Sequence, residues 1–260
     1  MFNSYNQKLT EKLNNRETVL GTLASIGHPA ITECIAQAGY DVVWIDMEHT
    51  AIDNESVLNN LIAARAGGAS AWVRLRWNDP VLAKPVLDMG ADGIIFPYVR
   101  TADEARAAVA ACTYPPDGVR GYGPLRALDY GAITQKEYVT KTYRQCKRII
   151  QLEHIDAVEN LSEIVKVEGI DCFIIGPNDL SGSLGLIGEV EHEKCRAVYE
   201  RMTAILRESD IPFGVATYSE PDWIKYWKDL GATVFFSSAD WLFLKDGAYS
   251  MLDKLKEQTK

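Results

Sequence analysis

Short apolar runs recur along the chain, and segments with helical spacing lie between most of them. Eight runs have the length and the β-branched or aromatic content of strands. They span 18–25, 41–48, 70–76, 93–99, 147–153, 171–177, 212–217 and 232–238. Segments with apolar residues three or four apart, several ending in Gly, predict helices. They span 29–39, 54–68, 79–90, 101–112, 156–169, 193–209 and 220–231.

Alternation of strands and helices predicts a parallel sheet, and eight repeats in 260 residues predict an α/β fold of the (β/α)8 TIM-barrel type. An open doubly wound sheet is disfavoured because the first turn, "SIGHPAI", lacks the glycine spacing of a dinucleotide-binding turn. We expect residues 1–260 to form one barrel domain, with 1–16 as a polar extension or helix. In the longest interruption, 113–146, the segment "QKEYVTKTYRQ" is compatible with a helix.

The charge and the cysteines narrow the choice of partner and compartment. A net charge of -9 argues against nucleic acid or an anionic membrane as the main partner. Five scattered cysteines without a C-x-x-C pair are typical of reduced thiols. The first residues have no apolar signal region, and no apolar stretch approaches the ~18 residues of a membrane span. We therefore predict a cytoplasmic protein that acts on a small molecule.

Polar residues collect at the predicted carboxyl ends of the strands, where barrels of this type carry their active sites. Glu153 and Asp179, after adjacent strands, suit one hard divalent cation, although Asp179 equally fits a helix cap. His49 fits either a general base or a histidine satisfied by local hydrogen bonds. Arg74 lies in an apolar strand and needs an anionic partner if it is buried. Asp46 and Glu48 are candidates for pairing or capping.

Other reaction types are disfavoured by what the strand ends contain. An imine-forming aldolase needs a lysine at a strand's carboxyl end, and the lysines fall elsewhere. A serine hydrolase would be indicated by a G-x-S-x-G turn, which the chain lacks. The stretch "GPNDLSGSLG" offers backbone N–H groups to an anion, but it lacks the Gly-Lys ending of a phosphate loop.

Several stretches, in order, together resemble the HpcH/HpaI family of class II, metal-dependent aldolases. They are "WIDMEH", "VRLRWNDP", "LDMGADGIIFPYV", "TADEARAAVAACTYPPDGVRGYGP" and "IIQLEHIDAVENLSEIVKVEGIDCFIIGPNDLSGSLG". The likeness is to 2-keto-3-deoxy-sugar-acid aldolases and macrophomate synthase. It implies a lyase of aromatic or sugar-acid catabolism that reversibly cleaves 4-hydroxy-2-oxo acids to pyruvate and an aldehyde through a metal-stabilised enolate. An oxaloacetate decarboxylase or acyl-CoA-ester lyase would use the same enolate chemistry.

The resemblance also implies roles for individual residues and an assembly. Glu153 and Asp179 would bind Mg²⁺, Mn²⁺ or Co²⁺. His49 would be the base, Asp88 would raise its basicity, and Arg74 would stabilise the enolate oxygen. The implied substrate-binding residues are Gln151, Gly176, Pro177, Asn178, Asp179, Tyr122 and Arg126. The last helix would pack on or swap with a neighbouring subunit, in a homo-hexamer built as a trimer of dimers.

The chain departs from the family pattern at a few positions. Met47 stands where relatives often have Gly, and Tyr122 stands where bacterial aldolases have a small aliphatic residue. The stretch "RGYGPLRALDYG" is more similar to macrophomate synthase. We therefore expect Tyr122 and Arg126 to face the second substrate, and His28 to line the entrance.

Overall fold

The computed structural model describes residues 4–217 and 220–260. Eight parallel strands close a barrel in chain order, with β8 paired to β1, so the predicted barrel is confirmed. The strands are β1 (Val19–Ala24), β2 (Val42–Asp46), β3 (Ser70–Arg74), β4 (Gly93–Phe96), β5 (Lys147–Leu152), β6 (Cys172–Ile175), β7 (Phe213–Thr217) and β8 (Val234–Ala239).

Helices follow the strands and cover the outside of the barrel. The α-helices are α1 (Ser4–Asn14), α2 (Pro29–Gln37), α3 (Asn54–Gly67), α4 (Pro80–Asp88), α5 (Ala102–Cys112), α6 (Gln135–Thr140), α7 (Ile155–Glu159), α8 (Leu161–Ile164), α9 (Pro177–Ser183), α10 (Glu193–Glu208), α11 (Pro221–Asp229) and α12 (Asp240–Gln258). Short 3₁₀ helices span Arg126–Gly131 and Thr142–Gln145.

Two predicted segments differ from the structure in detail. The helix expected over 156–169 is two short helices, α7 and α8, because the chain leaves regular helical geometry at Asn160. The segment "GPNDLSGSLG", in which Asp179 is a candidate helix cap, contains the helix α9, whose N-cap is Gly176, so Asp179 lies in its first turn. The N-terminal helix α1 lies within the predicted 1–16 segment, of which residues 1–3 lie outside the described residues.

Aromatic side chains fill the barrel interior below its carboxyl end. Trp44, Trp72 and Phe236 are fully buried, and the rings of Trp44 and Phe236 meet edge to face at 4.9 Å. A Cβ at Gly21 would overlap the ring of Phe236, so only Gly fits there. Because inward-facing residues alternate along a strand, Asp46 and Arg74 lie one layer above the two tryptophans. The aromatic layer therefore separates the polar residues at the carboxyl end from the rest of the barrel interior.

Helix starts account for most of the histidines. His28, His154 and His192 each cap a helix by accepting a backbone N–H at Nδ1, at 3.3, 3.1 and 3.2 Å. These contacts give the three side chains a structural role as helix caps. His28, which we expect to line the entrance, caps α2, and its place at the entrance stays a prediction. His49, the remaining histidine of the four, has no such helix to cap.

Within the described part of the chain, no helix has the length and apolar character needed to cross a membrane. The five cysteines are free thiols, as predicted, and Cys112, Cys172 and Cys195 are buried. Burial raises the pKa of Cys112 to about 12. These buried thiols therefore behave as packing residues and not as nucleophiles.

Candidate active site

A buried guanidinium is fixed at the carboxyl ends of β2 and β3. Arg74 pairs in register with Asp46, and its Nε and Nη2 donate to the two Asp46 oxygens at 2.9 and 2.7 Å. Its Nη1 lies 2.9 Å from Oε2 of Glu48, and its Cζ lies 5.0 Å from the Trp44 ring. Burial lowers the pKa of Arg74, but the bond to Asp46 and the charges of Asp46 and Glu48 outweigh it and raise that pKa. The arginine thus has the anionic partner that its burial requires.

His49 lies beside this network and faces the solvent-filled mouth of the barrel. Its Nε2 is 3.6 Å from Oε2 of Glu48, and 61% of its side chain is exposed. Burial is the main cause of the raised pKa of Glu48, while Arg74 and His49 act to lower it. Glu48 therefore lies between the fixed arginine and an exposed histidine.

Glu153 is a buried carboxylate that follows β5 directly, with 1% of its surface exposed. Its Oε1 accepts the N–H of Tyr98 at 2.7 Å, and its Oε2 accepts the amide of Gln151. Burial and then the charge of Glu48 raise the pKa of Glu153 to about 8, against the Tyr98 N–H and Arg74. The charge of Asp179 raises it further, so this carboxylate would gain from a nearby cation.

The donors around Glu153 fit a hard divalent cation. Oε1 of Gln151 is buried without a hydrogen-bond partner, and a Cβ at Gly176 would lie 2.8 Å from Oε2 of Glu153. Space next to the carboxylate is therefore kept by the glycine. Among the residues described, no three His, Cys, Asp or Glu side chains form a complete metal site. A cation held by Glu153 and Asp179 alone would keep positions for substrate and water, as magnesium sites do.

A cavity of about 310 Å³ opens between these groups. It brings together most of the predicted site residues: His49, Arg74, Gln151, Gly176, Pro177, Asn178 and Asp179. Its opposite wall carries Leu23, Trp241 and Leu242, which the sequence did not single out because they read as ordinary strand and helix residues. Thr217 at the end of β7 and Ser238 in β8 also line it. The cavity is thus polar on one side and apolar on the other.

Three predicted residues lie at the amino end of the barrel, away from this cavity. Asp88 is the last residue of α4, and its Oδ1 accepts Nη2 of Arg120 at 3.0 Å. Arg126 donates from Nη1 to the carbonyl of Met89 at 2.6 Å. The ring of Tyr122 packs on Tyr114 at 5.7 Å.

These three residues lie at the amino end because of the direction in which the helices run. Helices α4 and α5 run from the carboxyl to the amino end of the barrel, so Asp88 and the whole 113–146 segment lie at the amino end. Within one chain, Asp88 therefore does not reach His49, and Tyr122 and Arg126 do not reach the cavity. Their expected contacts with a base and a substrate require a second copy of the chain.

Comparison with known proteins places the chain in a family. Residues 22–224 match the family model described as HpcH/HpaI aldolase/citrate lyase. The chain belongs to this family. Over 71% of the chain and 73% of the relative, it is 39% identical to a hydroxypyruvate/pyruvate aldolase of Sagittula stellata. Over 87% of the chain and 86% of the relative, it is 36% identical to a 4-hydroxy-2-oxo-heptane-1,7-dioate aldolase of Shigella sonnei.

Solved structures agree with the family assignment. A HpcH/HpaI aldolase/citrate lyase family protein of Burkholderia cenocepacia superposes with a TM-score of 0.89, at 29% identity and over 96% of this chain and 99% of that one. Macrophomate synthase superposes with a TM-score of 0.83 over 97% of this chain and 89% of that one. At 23% identity, the second similarity shows a shared fold alone.

Proposed function

We propose that this HpcH/HpaI family member is a lyase that reversibly cleaves 4-hydroxy-2-oxo acids to pyruvate and an aldehyde. The observation that carries the proposal is the buried carboxylate Glu153. Its pKa is raised to about 8, and it accepts the amide of Gln151, which lines a cavity together with Arg74 and His49. Relatives named as aldolases of hydroxypyruvate/pyruvate and of a 4-hydroxy-2-oxo acid support this choice of substrate.

Glu153 and Asp179 would hold a divalent cation, Mg²⁺, Mn²⁺ or Co²⁺, at the cavity. When bound, this cation supplies Lewis-acid polarisation of the substrate's 2-oxo group. The unpartnered oxygen of Gln151 and the backbone from Gly176 to Asp179 line the same cavity and would orient the substrate's carboxylate end. Arg74 is held by Asp46 with its charge facing the cavity, where it would stabilise negative charge on the enolate oxygen.

His49 would move the proton in both directions. In cleavage it accepts the proton of the 4-hydroxyl group, the bond between C3 and C4 breaks, and the aldehyde leaves. The electron pair remains on the three-carbon enolate, and His49 returns the proton to C3 to give pyruvate. Such proton transfer contributes about 10²- to 10⁴-fold to the rate. The exposed ring beside Glu48 suits this exchange.

The direct test measures pyruvate release from 4-hydroxy-2-oxo acids before and after EDTA treatment. We expect the activity to vanish with the metal and to return with Mg²⁺ or Mn²⁺, because the acidic ligands alone cannot polarise the 2-oxo group. Pyruvate release that persists after complete metal removal would rule the mechanism out. Oxaloacetate, assayed in parallel, ranks decarboxylation against aldol cleavage, since both pass through the same enolate.

We also propose that the active protein is a homo-oligomer in which Asp88 of one copy reaches His49 of another. Two observations support this proposal. Asp88 lies at the wrong end of its own barrel, and α12 exposes a large apolar surface. That surface comprises Trp241, Phe243, Leu244, Tyr249, Met251, Leu252 and Leu255. Contact with another copy would cover it, as the implied trimer of dimers requires.

Mixing two inactive variants tests the shared site. We expect His49→Ala and Asp88→Asn each to be inactive alone. Co-expressed chains should regain about a quarter of the activity, because random assembly gives one site in four an intact residue from each copy. Each variant mixed with itself is the control. Mixtures that stay inactive, although mass measurement shows mixed oligomers, would contradict the proposal.

A further inference from the structure

Tyr98, directly after β4, has a backbone conformation that its residue type disfavours. Its φ is 57°, in the left-handed region that glycine adopts freely and residues with a Cβ adopt at a cost. Such a residue persists where its surroundings impose the conformation, and residues of this kind cluster at functional sites. Tyr98 lies at the carboxyl end of the barrel, at the same level as the proposed metal ligands.

This conformation directs the backbone N–H of Tyr98 at Glu153. The N–H lies 2.7 Å from Oε1 of a side chain that is 55 residues away in sequence. The other carboxylate oxygen, Oε2, accepts the amide of Gln151. Both oxygens are therefore held, and rotation of the carboxylate would break at least one of these bonds. Because β4 holds the preceding chain and the capped helix α5 holds the following chain, a negative φ at Tyr98 would require the Pro97–Tyr98 peptide plane to flip, and the N–H would then point away from Glu153.

The side chain of Tyr98 is held on several sides. Its ring stacks on Trp77 with centroids 5.6 Å apart and planes at 28°, and the ring of His154 lies 5.5 Å from it on a tilted plane. The guanidinium carbon of Arg100 lies 5.7 Å from its centroid. His154 is itself fixed, since its Nδ1 accepts the N–H of Asp156 at 3.1 Å. Aromatic pairs of this geometry are favourable beyond the area that they bury, so together they can offset the cost of a left-handed residue.

The chain that follows Tyr98 is anchored as well. The N–H of Arg100 donates to Oε2 of Glu104 at 2.6 Å, and the Arg100 carbonyl accepts the amide of Asn160 at 3.0 Å. Thr101 and Glu104 form a capping box at the start of α5. The turn at Tyr98 is therefore fixed on both sides, by β4 and by the capped helix α5. It cannot relieve the unfavourable φ by moving the residues that follow it.

We propose that Tyr98 is a positioning residue for metal binding. The Trp77–Tyr98–His154 stack keeps Tyr98 left-handed, and its N–H then presents Glu153 to the cation in a single orientation. This inference rests on the proposed function, because it takes Glu153 as a metal ligand. It adds that the ligand geometry is set by the backbone conformation of a residue that itself does not touch the metal.

Three substitutions separate the backbone from the ring. Tyr98→Phe keeps both the stack and the conformation, so we expect Mn²⁺ affinity within about twofold of the unsubstituted protein. Tyr98→Ala removes the stack but keeps the Cβ penalty, so the turn relaxes and affinity falls by about tenfold. Tyr98→Gly removes the stack and the penalty together, so affinity recovers to within about threefold. Titration calorimetry with Mn²⁺ alone measures all three, and circular dichroism confirms that each variant is folded.

The contrast between Ala and Gly is the decisive readout. A purely structural role of the ring would affect the two variants equally, and equal Mn²⁺ affinities in Tyr98→Ala and Tyr98→Gly would overturn the proposal. Ala affinity equal to that of the unsubstituted protein would overturn it too, while leaving the proposed function intact. Failure of the unsubstituted protein to bind Mn²⁺ would overturn both this inference and the metal site on which it rests.

Discussion

Both ends of the barrel pair acids with cations, but Glu153 at the carboxyl end is buried and held by neutral donors. At the amino end, acids pair with cations: Asp88 with Arg120 at 3.0 Å, Asp171 with Arg148 at 2.8 Å and Asp41 with Lys12 at 2.6 Å. At the carboxyl end, the buried Glu153 is held by the neutral donors of Tyr98 and Gln151, and two further acids raise its pKa. The paired acids stabilise the fold, whereas Glu153, which lies among further acids, is placed where a cation would stabilise it. Asp92 at the amino end is buried too, and it accepts hydrogen bonds from the neutral donors Asn6 and the Ala71 N–H.

The largest effect should come from the histidine at the carboxyl end. His49→Ala is expected to reduce turnover by about 10²- to 10⁴-fold, because the proton carrier is lost. Calorimetry should show unchanged Mn²⁺ binding, since His49 is not a proposed ligand. Steady-state pyruvate formation measures the turnover.

His192 provides the matched control, because it caps α10 far from the cavity. Asn also caps helices well, so His192→Asn should leave turnover unchanged and stability within about 0.5 kcal/mol. A similar loss of turnover in both variants would contradict a specific role of His49 in proton transfer.

The next largest effect is a gain in the free energy of unfolding when Glu153, at the carboxyl end, is substituted. The pKa of Glu153 is about 8 in the folded protein against an ordinary 4.5. Between these values the unfolded chain releases the proton that the folded chain keeps, so the contribution of Glu153 to stability is lost as the pH rises through about 8. Without metal at pH 8, Glu153→Gln should therefore raise the free energy of unfolding, on the order of 3 kcal/mol.

The same substitution should abolish Mn²⁺ binding, so one change stabilises the protein and removes its proposed function. Urea unfolding at pH 5 and pH 8 provides the check, since the gain should be much smaller at pH 5. A gain that is independent of pH would show that the carboxylate is not protonated in the folded state.

The smallest of these effects concerns the amino end. Asp88→Asn is expected to lower the free energy of unfolding by about 2 kcal/mol, because buried Arg120 loses its anionic partner and keeps only uncharged contacts such as Tyr138 and the Tyr114 ring. Asp229→Asn is the control, since its pair with Lys225 is exposed and should be worth at most about 0.5 kcal/mol. Urea unfolding compares the two variants. Equal losses of unfolding free energy in the two variants would contradict the expected difference between a buried and an exposed ion pair.

The fold was predictable because apolar periodicity reports burial directly, and all eight strands were found from it. His49, Arg74 and Asp179 were predictable because strand ends share one rim. The location of Asp88, Tyr122 and Arg126 could also have been found, since any residue between the end of a helix and the next strand lies at the amino end. The backbone conformation of Tyr98 could not, because contacts with Trp77 and His154, distant in sequence, impose it.

The aromatic layer of Trp44, Trp72 and Phe236 has a kinetic consequence. This layer closes the barrel interior towards its amino end, where Leu9 and Leu13 of α1 pack against it. A molecule bound deepest, against Gln151, would enter first and leave last, because the second molecule would lie between it and the opening at the carboxyl end. In the proposed reaction the three-carbon acid takes that place, so turnover would follow a compulsory order, with the aldehyde as the first product to escape.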